Sequence, residues 1–339
     1  MTWLESRPLG AEAGAEDTQY IDRAVEATWP IVHESGIAKT EWGKAGLWYA
    51  VTQATLLRSA LRRPTLLRQS GVLEKTGGPS YNPAREIDAV GNKVIHSIMR
   101  RIQVPALVYI EEEERWLSFN SEMPGIPVTI AVDPLDETGP IRIGLRVQTA
   151  AVTIANQRGE FVAGTIASLV DDEICLIEDN EAHLLSFYES SPEFAQRSPL
   201  QELVINPPPF RDIEKARIAT LPRRMDQLRR IPAFQNLDWL PTFGGYGLLG
   251  VIRGDIDVML DPLKGQPWYE AVEWGSMAEK AGLIVSDAEG NSIDFQNIML
   301  RAMHGEKLER VKIVISRDQH LHDQILSGLQ VGLQEAVAV

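Results

Sequence analysis

Cysteine is almost absent from this chain of 339 residues, which contains only Cys175. A single cysteine cannot form a disulfide within the chain, and such scarcity is typical of proteins from a reducing compartment. Residues 1–19 are acidic and lack the apolar stretch of a secretory signal, and no apolar run is long enough to span a bilayer. We therefore expect a cytoplasmic protein without membrane contact.

Basic residues are also scarce. The chain has 33 lysines and arginines against 47 aspartates and glutamates, which gives a formal net charge of −14. A surface of that sign repels nucleic acids and anionic membranes at long range. We therefore expect no nucleic-acid partner. A small phosphorylated molecule is compatible with the charge, because a bound cation can reverse the local field.

Hydrophobic periodicity predicts a mixed α/β (α+β) chain. Apolar residues at helical spacing predict helices at about 20–34, 44–62, 86–101, 225–231 and 270–282, a Gly-rich helix or turn at 244–250, and a last helix from about residue 318. Short apolar runs predict strands at 104–110, 128–133, 149–156, 160–169, 216–222, 256–262 and 311–316. The polar segment 170–200 predicts irregular structure. Three consecutive prolines within 198–210 predict a hinge between two subdomains, 1–200 and 201–339.

The most informative motif is Asp133-Pro134-Leu135-Asp136, which follows directly on the apolar run VTIAV. A strand that ends in Asp-x-x-Asp places two carboxylates at the mouth of a sheet, and Leu135 can add its carbonyl oxygen. Hard oxygen ligands of this kind suit Mg²⁺. Thr138 adds a hydroxyl two residues later. A turn with two solvated aspartates explains the same four residues about as well.

Three further acidic features are ambiguous when each is taken alone. The four glutamates at 111–114 follow a predicted strand, where a solvated surface turn is the simpler interpretation. Asp88 stands near the start of a predicted helix, where the helix dipole favours an acidic residue. Glu270 opens another predicted helix. The order and spacing of all four features is therefore more informative than any one of them.

Over about residues 80–339 the sequence resembles the superfamily of inositol monophosphatases and fructose-1,6-bisphosphatases. That superfamily has a Glu-Glu pair after a strand and then, about twenty residues later, Asp-Pro-(Ile/Leu)-Asp-Gly-(Thr/Ser); here Glu112 precedes Asp133 by 133 − 112 = 21 residues. The segment YEAVEWGSMAEKAGL is similar to a later helix that opens with a metal ligand and ends in Glu-x-Ala-Gly, which places Glu270 on the ligand position. Pro83 and Asp88 match an earlier Pro-Val-Thr-x-x-Asp segment.

The resemblance implies a layered αβαβα sandwich and a Mg²⁺-dependent phosphatase, which uses a metal-activated water to hydrolyse a small sugar or cyclitol phosphate. It also implies two or three Mg²⁺ ions, replaceable by Mn²⁺, and a homodimer. The implied metal ligands, with either Glu111-Glu112 or Glu112-Glu113 as the pair, are Glu111, Glu112, Glu113, Asp133, the Leu135 carbonyl, Asp136 and Glu270. The implied catalytic residues are Glu112, Thr138 and Asp88. The implied phosphate- and substrate-binding residues are Glu137, Thr138, Gly244, Gly245, Asp257 and Lys264.

Two departures from the superfamily bear on the substrate. Glu137 stands where glycine is usual, and we expect its side chain to turn outward, because a further carboxylate beside the phosphate would weaken binding. The segment Thr242-Phe243-Gly244-Gly245 replaces the usual Gly-Ser substrate segment. Two alternatives therefore stay open: a phosphatase of the same superfamily for a nucleotide 3′-phosphate or a specialised metabolite, and a catalytically inactive relative.

Overall fold

The computed structural model describes residues 15–61, 84–125, 127–136, 147–187, 200–205 and 213–337. The chain divides into two compact units, one made of residues 1–178 and 183–203, and the other of residues 179–182 and 204–339. Each unit has a sheet of its own. Across the described residues, no helix has the length and apolar character needed to cross a membrane.

Three helices begin the first unit: α1 (Ala15–Ser35), α2 (Glu41–Leu61) and α3 (Ala84–Arg101). They confirm the three helices predicted in this part of the chain. Where α1 packs on α2, the buried polar side chains are paired: the Trp48 indole N–H donates to the Val25 carbonyl at 2.8 Å, and the hydroxyls of Thr28 and Thr52 lie 2.6 Å apart. Pairing of this kind removes the cost of burying polar atoms.

Within the described residues, eight strands form the sheet of the first unit. They are β1 (Ala106–Ile110), β2 (Arg115–Phe119), β3 (Val128–Asp136), β4 (Thr149–Ala155), β5 (Phe161–Ser168), β6 (Glu173–Glu178), β7 (Glu181–Phe187) and β8 (Leu200–Glu202). Their spatial order is β2-β1-β3-β4-β5-β6-β7-β8. β1 and β3 are parallel, whereas β3, β4 and β5 pair antiparallel. The carboxyl ends of β1 and β3 therefore lie at one edge of the sheet.

The prediction of irregular structure at 170–200 is wrong for β6 and β7. These neighbouring strands are joined by Asp179 and Asn180, whose φ angles are 51° and 62°. Asp and Asn tolerate the left-handed region that such a two-residue turn requires. Although the two strands have acidic residues at their ends, the middle of β6 is buried: Ile174, Cys175 and Leu176 are 0% exposed.

Within the described residues, five strands form the sheet of the second unit. They are β9 (Arg217–Ala219), β10 (Asp238–Leu240), β11 (Val258–Gln266), β12 (Ile284–Ser286) and β13 (Val311–Ser316), in the order β10-β9-β11-β13-β12. β9 is parallel to β10 and β11, and β13 is antiparallel to β11 and β12. The accompanying helices are α4 (Pro222–Leu228), α5 (Gly244–Arg253), α6 (Trp268–Lys280), α7 (Phe295–Met303) and α8 (Gln319–Val337). The mixed α/β prediction is confirmed, although β2, β8, β10, β12 and α7 were not predicted.

His322 ties α8 to the ends of two strands. Its Nε2 lies 2.8 Å from the hydroxyl of Ser286 in β12, and its Nδ1 lies 2.8 Å from the hydroxyl of Ser316 in β13. The side chain is buried, with 2% exposed. Burial lowers the pKa of His322 below its ordinary value of 6.5, and the nearby charge of Asp323 opposes this shift only in part. The folded chain therefore favours the neutral imidazole.

We expect His322 to reduce the stability of the folded state as the pH falls below about 6.5. The unfolded chain takes up a proton near the ordinary pKa, whereas the folded chain resists it, so the free energy of unfolding decreases toward acid. Urea unfolding on both sides of that pH should show a loss of stability that is smaller in His322→Asn than in the wild type. An equal acid loss in the two proteins would contradict this assignment.

Candidate active site

Two acidic segments of the first unit lie side by side at the carboxyl edge of its sheet. Ile110, the last residue of β1, pairs with Val132 of the parallel strand β3. Glu111 therefore leaves one strand at the level at which Asp133 continues the next, and neighbouring strands are about 4.8 Å apart. The first turn after β1, Glu111–Glu113, is a 3₁₀ helix. The backbones of two segments with predicted metal ligands are thus adjacent.

The Asp133-Pro134-Leu135-Asp136 segment forms a β-bulge at the end of β3. Asp133 and Asp136 both pair with β4, but two residues stand between them where β4 has one. Asp133 is 2% exposed, and its Oδ1 accepts a hydrogen bond from the Leu135 N–H at 3.1 Å. This bond fixes the carboxylate within the turn, while Pro134 and Leu135 lie outside the regular ladder.

The Glu113 carboxylate contacts side chains of α3 and β2. Its carboxylate accepts a hydrogen bond from Arg115 Nη2 at 2.9 Å and lies 3.3 Å from His96 Nε2. Burial alone would raise the pKa of Glu113, but the hydrogen bonds from Arg115 and His96 outweigh burial, and the pKa is lowered. Glu113 is therefore held by its own partners, and the choice between Glu111-Glu112 and Glu112-Glu113 as the metal-binding pair stays a prediction.

The glutamate charges at this edge of the sheet affect the pKa of Tyr109, the residue before Ile110. Burial, followed by the negative charges of Glu114 and Glu111, raises the pKa of Tyr109 to about 12. Tyr109 also packs edge-on against Trp116, with the ring centroids 5.4 Å apart. The edge of the sheet is therefore an electronegative environment, which disfavours further anions and favours cations.

Part of the predicted site lies outside the described residues. Glu137 and Thr138 belong to an undescribed segment, and the side chains of Asp88 and Glu112 are not described either. Among the side chains that are described, no three His, Cys, Asp or Glu residues form a group that could hold a metal ion. The complete ligand set inferred from the sequence therefore stays a prediction.

The described part of the segment nevertheless fits a hard divalent cation. Asp133 is a buried carboxylate, Asp136 is a second carboxylate in the same bulge, and Leu135 lies where its carbonyl is not part of the regular ladder. Oxygen atoms of these three kinds are the usual ligands of Mg²⁺. A cation would also offset the cost of burying the Asp133 charge. The chemistry of the donors therefore agrees with the predicted metal.

In the second unit, β11 and α6 place two predicted site residues near one end of the sheet. β11 ends at Gln266, and Pro267 leads directly into α6, whose first turn contains Glu270. Lys264 lies in the last part of β11 and is exposed. The carboxyl end of β11 thus carries a lysine and, six residues later along the chain, the glutamate that the resemblance assigns to metal binding.

The glycines of α5 allow this helix to lie close against β11. A Cβ on Gly247 would come within 2.6 Å of Met259 Sδ, and a Cβ on Gly250 would come within 2.5 Å of Ile256 Cδ1. The earlier glycine, Gly247, faces the later residue, Met259 of β11, and the later glycine, Gly250, faces Ile256 just before β11. Helix α5 and strand β11 therefore run in opposite directions. The N-terminus of α5 therefore points toward the end of the sheet at which β11 finishes.

Gly244 and Gly245, which the sequence resemblance assigns to the substrate segment, open α5 at that end. Phe243 precedes the helix and makes no side-chain cap bond, and Gly244 has a φ of 59°. A positive φ favours glycine. The N-terminus of a helix also favours anions, through its backbone N–H groups and the helix dipole. Both glycines thus occupy positions compatible with phosphate binding.

Asp261, which the sequence predictions missed, organises the carboxyl end of β11. This fully buried carboxylate accepts hydrogen bonds from Gln266 Nε2 at 2.8 Å, Arg224 Nε at 3.3 Å and the Lys264 N–H at 3.4 Å. The run Asp-Pro-Leu-Lys at 261–264 repeats the Asp-Pro-Leu of the first unit, and in both strands the pairing shifts after the aspartate. Comparing the two runs could have identified Asp261 from the sequence.

Asp257, by contrast, lies at the opposite end of β11 from Lys264. Its Oδ2 accepts a hydrogen bond from the Arg217 N–H at 2.9 Å, and its Oδ1 lies 3.9 Å from Arg317 Nη1. Asp257 and Lys264 are seven positions apart along the chain, roughly 20 Å in an extended strand. The 3% exposed carboxylate thus joins β9, β11 and the end of β13, and a contact of Asp257 with the substrate stays a prediction.

No protein-family model and no curated protein sequence matches the chain. Solved structures do match. The extragenic suppressor protein suhB of Bartonella henselae is 17% identical, with a TM-score of 0.58 and with 86% of this chain and 100% of that chain covered. An inositol monophosphatase of Zymomonas mobilis is 15% identical, with a TM-score of 0.55 and coverage of 86% and 98%. This chain has the inositol monophosphatase fold.

A third match concerns a ligand complex of the same fold. SaIMPase-II, described with bound inositol monophosphate, is 13% identical to the chain, with a TM-score of 0.52 and with 83% of this chain and 95% of that chain covered. At such identities the comparisons establish the inositol monophosphatase fold alone. The 86% covered in the first two matches exceeds the 260 of 339 residues over which the sequence resemblance held, so the structural match reaches into residues 1–79.

We expect Glu111 and Glu113 to differ in their effect on metal binding. Glu113→Gln removes a charge that Arg115 and His96 already offset, so the Mg²⁺ affinity should change by less than about threefold, under 1 kcal/mol. Glu111→Gln should weaken Mg²⁺ binding by about tenfold or more if Glu111, which leaves β1 beside Asp133, is a direct ligand. Calorimetric titration of each variant with Mg²⁺ measures both. A greater loss in Glu113→Gln would assign the pair to Glu112-Glu113 instead.

Proposed function

We propose that this protein is a Mg²⁺-dependent phosphatase that hydrolyses the phosphate monoester of a small sugar or cyclitol. The observation that carries the proposal is the adjacency of Glu111 and the buried Asp133 at the carboxyl edge of two parallel strands, in a chain with the inositol monophosphatase fold. The substrate class is supported by SaIMPase-II, whose structure is described with inositol monophosphate.

The proposed metal ligands rest partly on the geometry of the first unit and partly on the sequence resemblance. Those supported by the geometry of the first unit are Glu111, Asp133, Asp136 and the Leu135 carbonyl. The sequence resemblance adds Glu112 and Glu270 to the set for two or three Mg²⁺ ions. When bound, Mg²⁺ lowers the pKa of a coordinated water and stabilises the negative charge of the leaving oxygen.

Side chains and backbone groups of the chain would do the remaining work. The hydrogen bond from the Leu135 N–H holds the Asp133 carboxylate in place before substrate binds, so little reorganisation is needed during the reaction. Thr138, together with Asp88 or Glu112, is proposed to orient the attacking water, and the carboxylate to accept its proton. The N–H groups of Glu137 and Thr138 are proposed to hold phosphate oxygens. Water attacks phosphorus and gives up a proton to the base, the ester P–O bond breaks, and the leaving sugar oxygen takes up a proton from solvent to become a hydroxyl.

The second unit is proposed to supply contacts to the substrate. The N–H groups at the start of α5, around Gly244 and Gly245, suit an anionic or hydroxyl oxygen. Lys264 adds a positive charge at the carboxyl end of β11. The homodimer and the cytoplasmic location stay predictions from the sequence.

Phosphate release should depend strictly on a divalent metal. A panel of inositol 1-phosphate, glucose 1-phosphate, fructose 1,6-bisphosphate and adenosine 3′,5′-bisphosphate is assayed with Mg²⁺, with excess chelator, and after Mg²⁺ or Mn²⁺ is restored. We expect turnover of a sugar or cyclitol ester that chelator abolishes and metal restores, because the carboxylates require a cation.

Each other outcome of this panel changes a different part of the proposal. Undiminished turnover in chelator would contradict the metal mechanism. Preference for the adenosine ester would move the substrate to the nucleotide 3′-phosphates. No turnover of any ester with Mg²⁺ would identify an inactive relative.

Glu270→Gln tests the ligand that the sequence resemblance assigns to the second unit. If Glu270 binds metal, turnover should fall by about a hundredfold or more, roughly 2.7 kcal/mol of transition-state stabilisation, while the melting temperature without metal stays nearly constant. Glu279→Gln is the matched control, because Glu279 is exposed on the same helix. Turnover of Glu270→Gln within about threefold of wild type would show that the alignment through EKAGL is wrong.

A further inference from the structure

A row of three polar residues crosses the sheet of the first unit beside the predicted metal ligands. Thr149, the first residue of β4, pairs with Asp136 of β3 on one side and with Ser168 of β5 on the other. Residues that pair directly across an antiparallel sheet project their side chains to the same face, with Cβ atoms about 5 Å apart. The side chain of Thr149 therefore lies between those of Asp136 and Ser168.

The hydroxyl of Thr149 is buried and unsatisfied. The residue is 0% exposed, and among the described residues its Oγ1 has no hydrogen-bond partner. The hydroxyl of Ser168 is engaged elsewhere, since it accepts the N–H groups of Asp171 at 2.9 Å and Val170 at 3.4 Å. Burying a hydroxyl without a partner is costly, and valine would fill the same space in a strand without that cost. An unsatisfied hydroxyl in such a position needs an explanation.

Thr153, four residues further along the same face of β4, shows what sets Thr149 apart. It is 1% exposed, and its Oγ1 also has no hydrogen-bond partner in the part of the chain that the structure describes. Its neighbours across the sheet are Ala131 and Gly164, which have no polar side chains. Thr149 instead faces the carboxylate of Asp136. Burial is common to both threonines, and only the neighbouring carboxylate distinguishes Thr149.

We propose that Thr149 is a positioning residue of the Mg²⁺ site, whose hydroxyl donates a hydrogen bond to the Asp136 carboxylate when the ion is bound. A carboxylate that binds a metal through one oxygen can accept a hydrogen bond on the other, and such bonds orient the ligand. Asp133 already accepts a bond of this kind from the Leu135 N–H. Thr149 gives Asp136 the equivalent support. This inference rests on the metal site of the proposed function.

A role of this kind has opposite consequences with and without metal. In the metal-free protein the Thr149 hydroxyl is unsatisfied, so its replacement by a methyl group should not destabilise the fold. With Mg²⁺ bound, the same replacement removes a hydrogen bond to a ligand, so the affinity for the ion falls. A threonine that only fills space in the sheet would show no loss of affinity on conversion to valine, which has nearly the same shape.

Three variants of the full chain test the inference: Thr149→Val, Thr149→Ser and Thr153→Val. Each is titrated calorimetrically with Mg²⁺, and its melting temperature is measured in excess chelator. We expect Thr149→Val to bind Mg²⁺ about tenfold more weakly than the wild type, with a melting temperature in chelator that is no lower. Thr149→Ser keeps the hydroxyl and should bind within about threefold of the wild type. Thr153→Val is the matched control and should change the affinity by less than about twofold.

Three results would overturn the inference. The first is a Thr149→Val variant that binds Mg²⁺ as tightly as the wild type. The second is an equal loss of affinity in Thr149→Val and in either Thr149→Ser or Thr153→Val, because the loss would then not follow the hydroxyl beside Asp136. The third is a melting temperature in chelator that falls in Thr149→Val but not in Thr153→Val, because the hydroxyl would then already stabilise the metal-free fold.

Phosphate release from the ester panel, measured on the same proteins, separates this inference from the proposed function. If the wild type binds Mg²⁺, Thr149→Val binds it more weakly and no ester is hydrolysed, the role of Thr149 stands and the phosphatase proposal fails. If phosphate is released and Thr149→Val binds Mg²⁺ like the wild type, the role of Thr149 alone is wrong. If the wild type binds no Mg²⁺, both are wrong.

Discussion

The parallel pairing of β1 with β3 is the constraint on which the candidate site depends. It places Ile110 opposite Val132, so the chain leaves β1 at Glu111 beside the point at which β3 reaches Asp133. An antiparallel pair would put the ends of these strands at opposite edges of the sheet. The bulge after Asp133 then turns the following residues out of the ladder, and the Leu135 N–H fixes the buried carboxylate.

Helices α2 and α3, which carry no predicted metal ligand, lie next to the Asp133–Asp136 turn. A Cβ on Gly91 of α3 would come within 2.3 Å of Pro134 Cβ and within 2.7 Å of Gln53 Nε2, from the fully buried Gln53 of α2. A larger residue at position 91 would therefore displace either the helix or the Asp133–Asp136 turn. The contact explains why α2 matters to the site, although residues 1–80 lay outside the sequence resemblance.

The sequence predicted best where one physical signal dominates. The apolar runs at 128–133 and 311–316 became β3 and β13, because a buried strand needs continuous apolar residues. β6 and β7 were missed because their acidic ends and the Asp179-Asn180 turn made the segment look irregular. The short strands β10 and β12, of three residues each, have too few residues to show a period.

The site was predictable in its motifs but not in its pairings. Spacing located Asp133 and the glutamate run, yet it could not show that Arg115 and His96 reach the carboxylate of Glu113, because that contact depends on the 3₁₀ turn. Asp261 and Arg224 are 37 residues apart in sequence and meet only because β9 lies beside β11.

The most direct test of the central claim is X-ray diffraction from a crystal soaked with Mn²⁺, with data collected at the manganese absorption edge. The account predicts an anomalous peak bonded to the carboxylates of Asp133 and Asp136, and manganese bound elsewhere with both carboxylates unoccupied would contradict it.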